Sequence, residues 1–251
     1  MAPFSHDLRP PWALQAVWLR IRAYWLGARA EEERRAGRYA DAERLVLRAL
    51  SMVERARESS PLLLVMLLCN LGVVHKSRGR LNDAARVYLR GLRIARARYG
   101  RRHHALAVFY HNLGGLEHAR GRHARGAVLA RHAVALRKRA VGPGHPDTAR
   151  DVAALAALVD GMDRHVEAEA LHRRALDVLE RRFGARHREI GYVLENLAAC
   201  LHLQGRTAEA DPLARRALAI KERTLGRDHP DTKSAQANLA VILRAKGLAG
   251  C

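Results

Sequence analysis

Aromatic residues make up only 5% of this 251-residue chain, and cysteine occurs three times. Cys69, Cys200 and Cys251 are odd in number, widely separated and free of any C-x-x-C pair. They speak for reduced thiols in a cytoplasmic protein and against a disulfide or zinc framework. No run of about 18 uncharged apolar residues exists, so a membrane-spanning helix is not expected. The opening MAPFSHDLRPP lacks a basic segment followed by an apolar one, so no secretory signal is expected. Also missing are G-x-S-x-G, a glycine-rich phosphate loop and H-E-x-x-H. The expectation is a protein that is not an enzyme and has no cofactor.

Ala, Leu and Arg dominate instead. These side chains lose little rotamer freedom in a helix and none is β-branched, so the composition favours an all-α chain, and its length suffices to bury a core. The formal charge is +20. It is unevenly spread: net +3 over residues 1–61, +14 over 62–148 and +3 over 149–251. An acidic partner would be drawn to the middle segment, less so as salt rises. Of the 45 basic residues, 40 are Arg, a bias that GC-rich codon usage would produce without selection for a ligand.

GPGHPDT (Gly142 to Thr148) and GRDHPDT (Gly226 to Thr232) are near-copies 84 residues apart. Worn copies begin at Gly100 and Gly184, so Gly and His recur at 100/103, 142/145, 184/187 and 226/229, a period of 42 residues. An Asn ladder follows the same period at Asn70, Asn112, Asn196 and Asn238, with Ala154 where the fifth Asn would stand. A third ladder is of small residues: Ala30, Ala42, Ala49; Gly72, Ala84, Gly91; Gly114, Gly126, Ala133; Ala156, Ala168, Ala175; Ala198, Ala210, Ala217. A fourth is the Gly-Arg pair at residues 37, 79, 121 and 205, replaced by Asp163-Arg164 in the remaining copy.

Each period reads as two helices. Gly closes one, because it accepts the left-handed conformation of a helix C-terminus. His-Pro-Asp-Thr opens the next, with Pro at the first helical position and Asp at the positive end of the dipole. The small residues mark close helix crossings. This pattern, with its 42-residue period, resembles the kinesin light chain type of tetratricopeptide repeat. The resemblance implies an all-α, right-handed solenoid of helix-turn-helix repeats over residues 23–251. Its repeats are expected at about 23–64, 65–106, 107–148, 149–190 and 191–232, with a terminal helix over 233–251. No heptads are present that would join a motor heavy chain.

Residues 1–22 read as an N-terminal extension with a capping helix. Leu14, Trp18, Ile21 and Trp25 form one helical stripe, expected to pack on the first repeat as a solenoid end requires. A membrane-surface helix and a dimer seam are the alternatives. Successive helices lie about 8–10 Å apart, so His103, His145, His187 and His229 cannot converge on a zinc that needs nitrogens at about 2.0–2.1 Å. Their expected place is at helix starts. His111, His118 and His123 could meet at one helix end, but no metal site is expected.

The same spacing suits a stretched peptide, which advances about 3.3 Å per residue. Asn offers a donor and an acceptor to any backbone. The tetratricopeptide resemblance places this position in the concave groove, so Asn70, Asn112, Asn196 and Asn238 are the candidate peptide grips. Bonds from these Asn to a neighbouring helix are the other reading. Six residues on come Lys76, His118, Asp160, His202 and Arg244, of which the basic ones are candidate flanking residues. The function expected is a protein-protein interaction scaffold holding an extended, acidic segment of a partner. The alternative is a basic solenoid binding the phosphate backbone of RNA or DNA.

Overall fold

The computed structural model describes residues 11–56 and 60–249, with side chains for 15–56, 60–245 and 247. Among these residues there are eleven α-helices, one 3-10 turn at His104–Leu106 and no strand. In chain order they are α1 (Pro11–Arg35), α2 (Tyr39–Arg55), α3 (Pro61–Ser77), α4 (Leu81–Tyr99), α5 (Ala107–Ala119), α6 (His123–Val141), α7 (Pro146–Asp160), α8 (His165–Phe183), α9 (Arg188–Leu203), α10 (Thr207–Leu225) and α11 (Pro230–Ala249). Two compact units are divided between Arg98 and Tyr99. The first holds α1–α4 and the second the helices from α5 onward. Each has its own core, around Val46, Val53, Leu67 and Leu68 in the first and around Leu179, Ile190, Leu194 and Leu201 in the second.

Helix starts follow the sequence ladder. The Nδ1 of His145 accepts the backbone N–H of Asp147 at 3.1 Å, and His229 does the same for Asp231 at 3.1 Å. His187 and His103 repeat the contact at 3.3 and 3.2 Å. Each imidazole therefore takes the role usually filled by Ser, Thr, Asp or Asn, satisfying a donor that the helix leaves open. Helix ends are equally regular. At the hairpin turn after α3, the Arg80 N–H reaches back to the His75 carbonyl at 2.9 Å, with Gly79 at φ 73°. The fourth repeat makes this turn with Asp163 at φ 60°, the one non-glycine residue with positive φ among the described residues, and its return bond from Arg164 to Val159 is 3.3 Å.

The small-residue ladder is the seam of every hairpin, and each of its members is buried. How tight the seam is shows at Gly72, where a Cβ would stand 2.2 Å from the Tyr88 ring of the paired helix. At the same pair of positions the other hairpins use Ala30 with Val46, Gly114 with Ala130, Ala156 with His172 and Ala198 with Ala214. Where one partner is large, the other shrinks.

The N-terminal stripe differs from expectation. Trp18 and Trp25 are 71% and 66% exposed, and Ile21 and Tyr24 also face solvent; the Leu14 side chain lies outside the described ones. The helix packs instead through Ala16, Ala23, Gly27 and Ala30, with Gly27 against Leu67 of α3. Small side chains let backbones approach closely, and an indole at the crossing would hold them apart. The expected boundary at residue 22 falls inside α1, which runs unbroken from Pro11 to Arg35.

Two stability outcomes follow from these turns and seams. Asp163→Gly removes a left-handed penalty and should stabilise the chain by about 0.5–1 kcal/mol in a denaturant melt; a loss of stability would show that the Asp163 side chain holds the turn. Gly72→Ala should cost about 2–3 kcal/mol by overpacking, and adding Tyr88→Val, after the Ala30–Val46 pair, should recover most of it.

Candidate functional site

In the second unit α5, α7, α9 and α11 stand side by side as one layer, each touching the next, while α6, α8 and α10 form the other. Side-chain bonds link the first layer from helix to helix. Arg150 of α7 donates from Nε to Glu189 of α9 at 3.0 Å, and the Tyr192 hydroxyl of α9 donates to Asp231 of α11 at 2.5 Å. Arg150 and Tyr192 hold equivalent positions 42 residues apart, as do Glu189 and Asp231. His111 of α5 meets Asp151 of α7, Nδ1 to Oδ1, at 2.8 Å.

Two charged groups are sunk beneath this layer. Asp151 is 2% exposed and receives Arg137 Nε from α6 at 3.1 Å as well as His111. Lys221 of α10 is 1% exposed; it pairs with Glu195, donates to the Asp231 carbonyl at 3.3 Å and lies 4.6 Å from the Tyr192 ring centre. A buried ammonium survives only with such partners. Periodicity alone did not reveal these clusters: Asp151 replaces a hydrophobic residue at a single position of the repeat, and Lys221 shares its register with Arg137, where the other copies have Val53, Ala95 and Leu179.

Asn196 and Asn238 are exposed on α9 and α11, and Asn112 on α5 is half-buried. Asn238 donates to Glu195 Oε1 of α9 at 2.9 Å, so for this residue the bond to a neighbouring helix is real. His118 and His202 stand at their hairpin turns. The His118 ring lies 5.0 Å from that of His123, and His202 Nδ1 is 3.2 Å from the Thr207 hydroxyl. Each thus touches the first residue of the following helix. Arg244 is exposed on α11. In the first unit Asn70 and Lys76 lie half-buried on α3, and burial pushes the Lys76 ammonium below its usual pKa. His111 and His118 are not brought together: His111 bonds to Asp151, whereas His118 sits against His123.

The Gly-Arg turns carry a second, unforeseen role. Burial would raise the Glu43 carboxyl, yet Arg80 and Arg78 of the next hairpin hold it below the usual carboxylate range. In the second unit Glu169, three periods later, meets Arg206 at 2.8 Å and Gln204 at 2.9 Å, with the same result. On the other layer of the second unit an open recess of about 500 Å³ is lined in part by Arg186, Arg216 and Arg223. There Arg216 and Arg223 donate to the carbonyls of Ala185 and Arg186, so both guanidiniums stitch the inter-repeat loop.

Antiparallel helix pairs repeated at 42 residues, with a small-residue seam in each, define an all-α helical-repeat solenoid. The chain belongs to the tetratricopeptide repeat family, whose sequence profile matches residues 21–97, 62–125, 105–181 and 189–248. No match was found among curated protein sequences. Among solved structures the fold is similar to BtubC (BKLC) from P. vanneervenii, with TM-score 0.62, 20% identity and coverage of 88% of this chain and 94% of that one. It is similar also to a kinesin light chain-like repeat protein from Podosopora anserina (TM-score 0.60, 17% identity, 81% and 96% covered). A third neighbour is PlcR of Bacillus thuringiensis, solved with the peptide PapR7 and DNA (TM-score 0.64, 12% identity, 88% and 74% covered). Among the described residues no helix is long and apolar enough to cross a membrane.

The buried ion pair gives a direct test. Lys221→Leu, which places the residue of Leu179 one period on, should cost about 3 kcal/mol by leaving Glu195 without its cation and with only the Asn238 amide. Adding Glu195→Ala, after Ala153, should restore stability to near the starting value; a double variant as unstable as the single one would show that Lys221 acts through its packing alone.

Proposed function

We propose that the α5–α7–α9–α11 layer of the second unit holds an extended segment of a partner protein, in a scaffold with no chemistry of its own. The observation that carries this reading is the placement of Asn112, Asn196 and Asn238 at one position of three of the four helices in a single layer, α7 having Ala154 there, with two of the three exposed. Helices about 8–10 Å apart meet an extended chain roughly every third residue. An amide that both donates and accepts serves any backbone. His118, His202 and Arg244 flank that path at the turn end of the layer. Asn70 and Lys76 offer the same chemistry on α3 of the first unit. PlcR, solved with a peptide, supports the reading only through its shared fold.

Charge on the layer is mixed. Glu189, Glu195 and Asp231 stand there beside Arg150, and Lys221 of α10 is buried beneath them, so an acidic ligand is best matched beside Lys76, where a carboxylate would relieve the cost of burying an ammonium. Among the described residues of this layer the part-exposed tyrosines are engaged, Tyr192 over Lys221 and Tyr110 against His132 of α6, which speaks against the nucleic-acid alternative.

The test is Asn112→Ala with Asn196→Ala, measured by capture from an immobilised library of unstructured peptides and by thermal melting. Binding weakened at least about tenfold with melting unchanged is the expected result, as one or two lost hydrogen bonds predict. Melting lowered while capture persists would make the Asn residues structural. Binding to RNA or DNA that holds above about 200 mM salt would favour the other reading.

A further inference from the structure

We propose that the junction of the fourth and fifth repeats binds a divalent first-row metal ion, with zinc the best fit, through Asp160, His165 and Cys200. Asp160 ends α7, His165 opens α8 and Cys200 lies on α9. One ligand atom from each falls within 4.8 Å of the others. Carboxylate and imidazole already touch, Oδ1 to Nδ1 at 2.7 Å, and the Cys200 thiol points at the His165 carbonyl at 3.2 Å. Tetrahedral zinc takes sulfur at about 2.3 Å and oxygen or nitrogen at about 2.0–2.2 Å. Its ligands then stand roughly 3.5 Å apart, a spacing that small side-chain rotations reach.

The repeat itself provides the comparison. At the position of Cys200, α3, α5, α7 and α11 carry Val74, Leu116, Leu158 and Ile242, and α1 carries the exposed Glu32. Thiol therefore replaces aliphatic side chain at one core position, and that position faces the one hairpin whose turn is braced by a carboxylate and an imidazole. The corresponding turn contacts elsewhere in this unit are His118 with His123 and His202 with Thr207, neither with a cysteine beside it. A second core departure lies in the same hairpin. His172 of α8 stands where the others have Val46, Tyr88, Ala130 and Ala214; it is fully buried, and both ring nitrogens lack a partner.

On binding a divalent ion the thiol proton leaves to solvent, and thiolate, carboxylate and neutral imidazole balance the added charge. The resulting site is neutral, as a buried site must be. Sulfur and imidazole ligands select zinc, cobalt or nickel over magnesium or calcium. Water fills the fourth position, and the metal ties the α7–α8 hairpin to α9.

The experiment uses the full chain, stripped of metal with a chelator. One equivalent of Co²⁺ should produce the visible bands of four-coordinate cobalt and a near-ultraviolet thiolate-to-cobalt band. One equivalent of Zn²⁺ should bleach both and raise the melting temperature by several degrees. Cys200→Leu, which restores the residue type of Leu158, should fold without metal, lack the thiolate band and bind zinc at least about tenfold more weakly. Cys69→Ser should behave as the parent. No thiolate band at one equivalent, a band that survives Cys200→Leu, or equal zinc affinity in parent and variant would overturn the site, the last by assigning the metal to surface histidines.

Discussion

The close crossing of two helix backbones within each hairpin is the constraint on which the structure depends. A crossing this tight leaves room for hydrogen or methyl and little else, as the Gly72–Tyr88 contact shows. Once the paired helices are locked at that distance, their outer faces fall at fixed positions. Within each unit a hairpin then presents the same two surfaces to its neighbour, and the copies stack in a row. The glycine turns and histidine caps are consequences of this design. They end one helix and start the next within three or four residues, so every hairpin begins with its seam correctly aligned.

Stacking also decides where charge can be buried. Interiors of this kind are made of Ala, Val and Leu, and an ion enters only with its counter-ion. Glu43 with Arg78 and Arg80, Glu169 with Gln204 and Arg206, and Lys221 with Glu195 all span one hairpin and the next, or helices of neighbouring layers. Leaving one member unpaired inside the stack would cost several kcal/mol, so these pairs permit one order of neighbours and penalise others. They make repeats that are similar in outline specific in their contacts.

The same logic bears on function. A repeat protein has no cleft formed by a single loop; its usable surface is the row of equivalent positions along one layer. Where the row recurs, as with Asn112, Asn196 and Asn238 on either side of Ala154, it suits a ligand that is itself periodic, such as an extended backbone. Where the row is broken, as at Asp160, His165, His172 and Cys200, the departure is local and suits a small, compact ligand. Regularity and exception thus point to different chemistry within one unit.

Much of the architecture was legible without coordinates, because a 42-residue period writes each structural requirement several times. The small-residue seams, the histidine helix starts and the glycine turns recur in register, and all stand where the sequence puts them. The Asn ladder was legible as a row, though not that Asn238 would reach Glu195. Sequence also misassigned the Trp18–Trp25 stripe, since the hydrophobic pattern identifies a face but not whether a neighbour can approach it as closely as Ala23 and Ala30 allow. What only tertiary structure decided were contacts made once: Asp151 with His111 and Arg137, Lys221 under Tyr192, and the meeting of Asp160, His165 and Cys200. Repetition reports what every hairpin must satisfy, whereas an interaction between two unlike positions leaves no period, and only packing shows which side chains share a space.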